Sequence, residues 1–411
     1  MIKLPYFLIL LFILSQIIIL AIFGYTPYPD SEGYIALAHD CLKYGDLYPN
    51  KYKLHDLAFI WNIGAIDMVI FSLHLFKSVL PLLILYSIIK GLTAFLVYQI
   101  ANKLFNYRVA LLSLILYVIY PANYGEATSL QSEVPNIFLS ILGLWLIICK
   151  DKNILGGGII GIANWFRPIG IVFLISILIY KYRKILSVLL GYIIVVCIIG
   201  SASYYRTGHF IYQAETGWMA LLQYSVDNTK TITDDKLPII NNLKTNVADK
   251  DKIWRQRFFY WLSEHSIDYV SQIPYKMLKM FVSDNVNMCA FVPNKEKKDD
   301  MYIEINMRSI IHNFPNYSPV QILTIINLLY YYFLLIIFII SCFNIKKWKN
   351  KVFGNRLLLS LIFIYTLMII TVGHGEARFH HQIMPYIIIV DGAMLLSIVS
   401  RYKKLSFHFL Q

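Results

Sequence analysis

The sequence predicts an all-α, multi-pass transmembrane protein, and three observations carry that expectation. The 411 residues are 58% hydrophobic and 15% aromatic with a mean hydropathy of +0.58, well above a soluble chain of this length. The apolar residues fall in repeated runs long enough to cross a bilayer, about 20 residues at 1.5 Å rise for each crossing. The Lys and Arg behind the net charge of +13 lie mainly between those runs. That distribution points to a lipid bilayer as the partner and away from nucleic acid.

The first run, Leu4–Phe23, is long enough to span the hydrocarbon. It has no small-residue cleavage site and exceeds a signal-peptide core, so it reads as a mature helix. Gly24, Pro27 and Pro29 end it, which leaves Asp30 and Glu32 at a membrane surface. Helix capping is the structural reason available for them: Asp30 or Ser31 would cap an amphipathic run, with Glu32 in its first turn. Residues 31–45 place Ile35, Leu37, Ala38 and Leu42 at helical spacing, which suits a helix lying along the interface. Residues 46–55 are polar. The run 59–76 carries Asp67 and His74 among aliphatics and suits a second surface helix better than a span.

The run 79–100 is a span with Lys90 inside it. Snorkelling or a helix contact accounts for the lysine, although charge within a membrane is a functional flag. Spans 109–121 and 134–149 follow, joined by a connection that carries Glu126 and Glu133. The run 154–180 is interrupted by Asn164-Trp165-Phe166-Arg167-Pro168. Pro168 removes a backbone donor and restricts Arg167, so two short helices meeting at a polar tip are expected. Such breaks are tolerated where they line a protein cavity. Spans 185–203, 320–343, 357–373 and 382–400 bring the total to about ten membrane segments. The chain then divides into an N-terminal membrane module (1–203, with a first outer loop 25–78), a cap segment (204–320) and C-terminal membrane helices (321–411). The cap segment is too long for a connector, and its runs 252–265 and 270–283 look helical.

Charge sets the sidedness. With the N-terminus inside and a hairpin at 154–180, five clusters stay inside: Lys103 with Arg108, Lys150 with Lys152, 181–184, 346–351 and 401–404. A single crossing at 154–180 would send the last two outside. The hairpin therefore gathers Asp30, Glu32, Glu126, Glu133, Arg167, the cap segment and 374–381 on the outer face of the cytoplasmic membrane. In the last of these, His374, His380 and His381 lack a strong metal-ligand spacing and read as an interfacial polar cluster. Arg378 suits bidentate capture of a phosphate, with an ion pair to Glu376 or a lipid headgroup as the alternative. The five cysteines show no metal spacing, and free thiols are expected, Cys41 and Cys289 being the only pair that could meet outside.

Several short motifs in a fixed order resemble a known family. They are Asp30-Ser31-Glu32-Gly33-Tyr34 followed by Ile35-Ala36-Leu37-Ala38, Lys103-Leu104-Phe105-Asn106-Tyr107-Arg108-Val109-Ala110, Tyr120-Pro121 with Ser132-Glu133, Phe166-Arg167-Pro168, and Glu376-Ala377-Arg378-Phe379 with Pro385. The arrangement resembles the bacterial GT-C glycosyltransferases. More narrowly, it is similar to the family 39-like branch related to protein O-mannosyltransferases and the aminoarabinose transferase of lipid A. The likeness covers residues 1 to about 220 and returns at the last two spans; 225–320 match only loosely.

The resemblance implies a GT-C-like fold and transfer of a monosaccharide from a polyprenyl-phosphate sugar donor to a glycan, lipid or protein acceptor. Asp30 corresponds to the catalytic base and Arg378 to the basic residue that holds the lipid phosphate. Many relatives carry adjacent Asp-Glu, whereas Ser31 separates Asp30 from Glu32 here, so both acids are candidates for the base. The chemistry matches that placement. A sugar hydroxyl needs a carboxylate to take its proton, and the leaving phosphate needs positive charge from Arg378, Arg167 or Lys90. A single displacement inverts the anomeric centre. Tyr34 and Glu376 join the substrate-binding set, while Glu126 and Glu133 would order the acceptor or hold a divalent cation with oxygen ligands. A transporter or flippase, or a non-catalytic subunit of a cell-envelope polysaccharide assembly system, is the alternative; a flippase would show paired broken helices in two related halves, and only one broken pair is visible.

Overall fold

The computed structural model describes residues 4–47, 62–215, 217–229, 247–292, 314–344, 352–373 and 375–408. All regular structure among them is helical. In chain order the helices are α1 (Leu4–Phe23), α2 (Pro29–Lys43), α3 (Ile63–Phe76), α4 (Leu80–Leu104), α5 (Tyr107–Val118), the single turn α6 (Ala122–Glu126), α7 (Glu133–Cys149), α8 (Asn153–Phe166), α9 (Gly170–Lys181), α10 (Ile185–Thr207), α11 (Gly217–Thr229), α12 (Val247–Glu264), α13 (Ser266–Ser271), α14 (Ile273–Phe281), α15 (Pro319–Phe343), α16 (Val352–Val372) and α17 (Met384–His408). Four helical stretches are long and apolar enough to cross a membrane: Leu4–Phe23, Leu80–Leu104, Gly170–Thr207 and Pro319–Phe343. The third runs through a 3-10 turn at Tyr182–Lys184. Large apolar side chains such as Ile18, Ile22, Leu186, Ile198, Leu329 and Ile336 stay exposed along these helices, the surface that hydrocarbon would cover.

Local chemistry explains the helix ends. Gly24 takes a left-handed φ of 68° and closes α1. The Asn106 side chain accepts from the Val109 amide at 3.0 Å to start α5, and Ser318 with Gln321 forms a capping box on α15. The expectation that Asp30 or Ser31 caps the second helix is not met. Tyr28 is its N-cap residue, without a side-chain bond, and Pro29 holds the first turn. Asp30 is thus free to point elsewhere, and Ser31 Oγ donates to the Leu130 carbonyl at 3.3 Å.

The proline break forms the expected hairpin. α8 ends at Phe166, Arg167 is extended, and α9 begins at Gly170, whose amide donates to Asn164 Oδ1 at 2.9 Å. α8 runs antiparallel to α7 and parallel to α10 at backbone contact. A Cβ on Gly157 would stand 1.9 Å from the Val188 carbonyl oxygen, and one on Gly191 1.8 Å from that of Ile154. Only glycine permits this approach. At one end of this group, Lys181 Nζ bonds Asp151 at 2.9 Å and the Ile147 carbonyl at 3.1 Å. At the other end, Arg167 pairs with Glu133. Elsewhere α1 packs on α4, α9 on α16, and α17 on α5 and α15, around one continuous apolar core. None of the five cysteines forms a disulfide.

Part of the 204–320 segment is helical as expected. Trp254, Phe258 and Trp261 of α12 pack with Leu222 of α11 against Trp165 at the hairpin tip and Ile63 of α3. Residues 230–246 and 293–313, the basic run 346–351, and His374 lie outside the described residues.

Candidate functional site

Two polar clusters form at the end of the helix group that carries Arg167. The outer one is built on short connections. Thr26 is tied to Thr128 by a backbone bond of 2.9 Å and a hydroxyl contact of 3.0 Å, which fixes the approach to α2. Asp30, in the first turn of α2, then reaches Arg378 Nη1. The guanidinium uses its Nε for Glu376 Oε2 at 2.7 Å. Arg378 stands on the 3-10 turn Ala377–Gln382, held from behind by Tyr365, whose hydroxyl donates to the Phe379 carbonyl at 2.9 Å. The Phe379 ring lies 5.0 Å from the Arg167 guanidinium and 5.6 Å from that of Arg378. Two arginines therefore flank one ring, compensated by Asp30, Glu133 and Glu376. Asp30 and Arg378 remain 24% and 23% exposed, so solvent or a ligand reaches the pair.

Tyr34 closes this cluster from below. Asn62 Nδ2 donates to the Tyr34 hydroxyl at 3.0 Å and to Ser132 Oγ at 3.1 Å. Burial first, then the nearby Asp30 and Glu133 carboxylates, push the Tyr34 hydroxyl up to about 12, so it stays a neutral hydrogen-bonding group. Glu32 faces solvent on the other side of α2.

The second cluster is fully buried. Lys90 pairs with Glu126 and donates to Asn123 Oδ1 at 2.7 Å. It does not snorkel; it is a helix contact of an ionic kind. Glu126 Oε1 also meets His381 Nδ1 at 3.0 Å, and the opposite ring nitrogen of His381 lies 2.8 Å from Asp284 Oδ1. His380 Nε2 meets the same oxygen at 3.0 Å. The other Asp284 oxygen accepts from the Tyr120 hydroxyl and from Asn327 Nδ2, the latter at 2.9 Å.

Of the residues singled out by sequence, Asp30, Arg378 and Glu376 are joined directly, with Glu133, Arg167 and Tyr34 beside them. Glu126 and Lys90 belong to the buried cluster, so Glu126 and Glu133 take different cationic partners. His380 and His381 do form a polar cluster, with both side chains buried inside the protein. Asp284, Asn62 and Asn327 were not anticipated. The only sequence signal for Asp284 is its place in Ser283-Asp284-Asn285, a polar break between apolar residues. Its partner His380 is 96 residues away, and no spacing rule reaches that far. No protein-family model and no curated protein matches the chain.

Proposed function

We propose that the chain is an integral membrane glycosyltransferase of GT-C type, with about ten membrane segments and its N-terminus inside. It moves a monosaccharide from a polyprenyl-phosphate sugar to an acceptor at the outer face of the cytoplasmic membrane. One observation carries this reading: Asp30 and Arg378, 348 residues apart, meet in a part-exposed pair at the end of the bundle where Arg167 turns the hairpin.

In this reading the donor phosphate takes over the Arg378 Nη1 that Asp30 holds. Glu376 keeps the guanidinium oriented through Nε. The released Asp30 carboxylate takes the proton of the acceptor hydroxyl as its oxygen bonds the anomeric carbon. The bond from that carbon to the phosphate oxygen breaks, the electron pair leaves with polyprenyl phosphate, and Arg378 stabilises the added charge. Attack opposite the leaving group inverts the centre. Arg167, paired with Glu133, holds the Phe379 ring beside Arg378, and Tyr34 supplies a neutral hydroxyl near the base. Helices α11 and α12, packed on Trp165, cap the acceptor side.

The test is incubation of the purified protein with a panel of radiolabelled polyprenyl-phosphate sugars and a cell-envelope extract as acceptor. Sugar transfer with stoichiometric release of polyprenyl phosphate supports the reading. Binding of these lipids without release would instead identify a flippase or a non-catalytic subunit.

A further inference from the structure

The buried histidine pair is arranged as metal sites are. Each ring has its Nδ1 occupied: that of His380 by the Met280 carbonyl at 2.9 Å, that of His381 by Glu126 Oε1 at 3.0 Å. A carbonyl and a carboxylate are acceptors only, so both Nδ1 atoms carry the proton. In neutral rings this turns two Nε2 lone pairs onto one carboxylate oxygen, Asp284 Oδ1, at 3.0 and 2.8 Å. Three acceptors then face one another, and the donor beside them is Asn287 Nδ2, 3.3 Å from His381 Nε2 and equally far from Glu126 Oε1. The other Asp284 oxygen is already held by Tyr120 and Asn327. A cation between them would satisfy all three at once; without one, a ring of this stacked pair, 4.6 Å between centroids, must carry an extra proton in a dry interior.

We propose that Asp284 Oδ1, His380 Nε2 and His381 Nε2 bind a first-row divalent metal ion, zinc in character. The surroundings match such a site. Metal-binding histidines commonly donate their second N–H to a carbonyl or carboxylate, and here one does each. The carboxylate presents a single oxygen because hydroxyl and amide donors fix the other. The three ligand atoms lie within 4.8 Å of one another. With bonds of about 2.1 Å, atoms at right angles around an ion stand about 3.0 Å apart, and at tetrahedral angles about 3.4 Å. The two oxygen-to-nitrogen separations, 3.0 and 2.8 Å, fit the first and would widen by about half an ångström for the second.

The ion would clasp three segments: the loop after α14 through Asp284, the 3-10 turn through both histidines, and α6 through Glu126 behind His381. Arg378 is two residues before His380 on that turn, so the ion would set the position of the outer guanidinium. The site stands whether or not the chain transfers sugar.

The experiment uses the full chain in nanodiscs, purified without a histidine tag and stripped with a chelator. Titration with Co²⁺ is expected to give d–d absorption that saturates near one equivalent, and Zn²⁺ is expected to displace it. Zinc-loaded protein should retain about one Zn²⁺ per chain after gel filtration, and Asp284→Asn and His381→Gln should each lose at least tenfold in affinity. X-ray absorption of the loaded wild-type protein should show two imidazole ligands, a readout that needs no variant to fold. Wild-type protein that retains no metal, a spectrum with no imidazole, or retention unchanged in both variants would each overturn the assignment.

Discussion

Replacing Asp30 by asparagine keeps the shape of the side chain and removes its basicity. What it costs depends on which role the acid plays, and the magnitudes are far apart. As one half of a part-exposed ion pair with Arg378, Asp30 contributes about 1 kcal/mol or less. Its favourable place in the first turn of α2 adds about 0.3–1 kcal/mol. Together these are at most about 2 kcal/mol of stability, and they do not bear on turnover of the folded protein. As general base, Asp30 contributes about 10²–10⁴-fold in rate, or about 3–5 kcal/mol of barrier. Asp30→Asn is therefore expected to lower the rate of polyprenyl phosphate release at saturating donor by at least about 100-fold. Donor affinity should hold or tighten by up to about fivefold, because the phosphate no longer competes with a carboxylate for Arg378. A folded variant that keeps more than a tenth of the wild-type rate would refute the reasoning. If Glu32→Gln is inactive while Asp30→Asn transfers sugar, the base is Glu32.

Arg167→Met leaves Glu133 buried without its partner and should destabilise by about 3–5 kcal/mol, whereas the double variant Arg167→Met/Glu133→Gln should recover most of the loss in thermal unfolding. Gly191→Ala drives a methyl group into the Ile154 carbonyl and should cost about 1–3 kcal/mol, measured as a lower melting temperature in detergent. Lys276, buried in α14, has its pKa lowered by burial to about 8. Because the folded value lies below the ordinary 10.5, the unfolded chain binds more protons between them, so stability should rise as pH climbs from about 8 to about 10.5. Lys276→Met should be the more stable protein at pH 7 and should lack that rise.

The helices were legible because lipid imposes a strict pattern on sequence. Apolar runs gave most of the long helices, although α17 continues to His408 past the expected end at 400 and α12 starts at Val247 ahead of the expected 252. Pro168 marked the hairpin through loss of a backbone donor. Asp30, Arg167 and Arg378 stood out because charge beside an apolar run needs a reason. Less legible was which charge meets which. Glu126 and Glu133 look alike in sequence, yet α6 turns one toward Lys90 and His381 while α7 gives the other to Arg167. The capping role expected of Asp30 failed because Pro29 already provides the helix start, leaving the carboxylate to reach across 348 residues. The partners of the histidine pair were illegible for a related reason. Adjacent histidines have no ligand spacing of their own, and the third group, Asp284, is supplied by a different segment.

The most direct measurement is a cryo-electron microscopy structure of the full chain with polyprenyl phosphate bound. Donor capture by Arg378 predicts the phosphate within hydrogen-bond reach of that guanidinium, the Asp30–Arg378 contact opened, and the Asp30 carboxylate facing the space where an acceptor hydroxyl would enter. A phosphate bound elsewhere, with Asp30 still paired to Arg378, would contradict it.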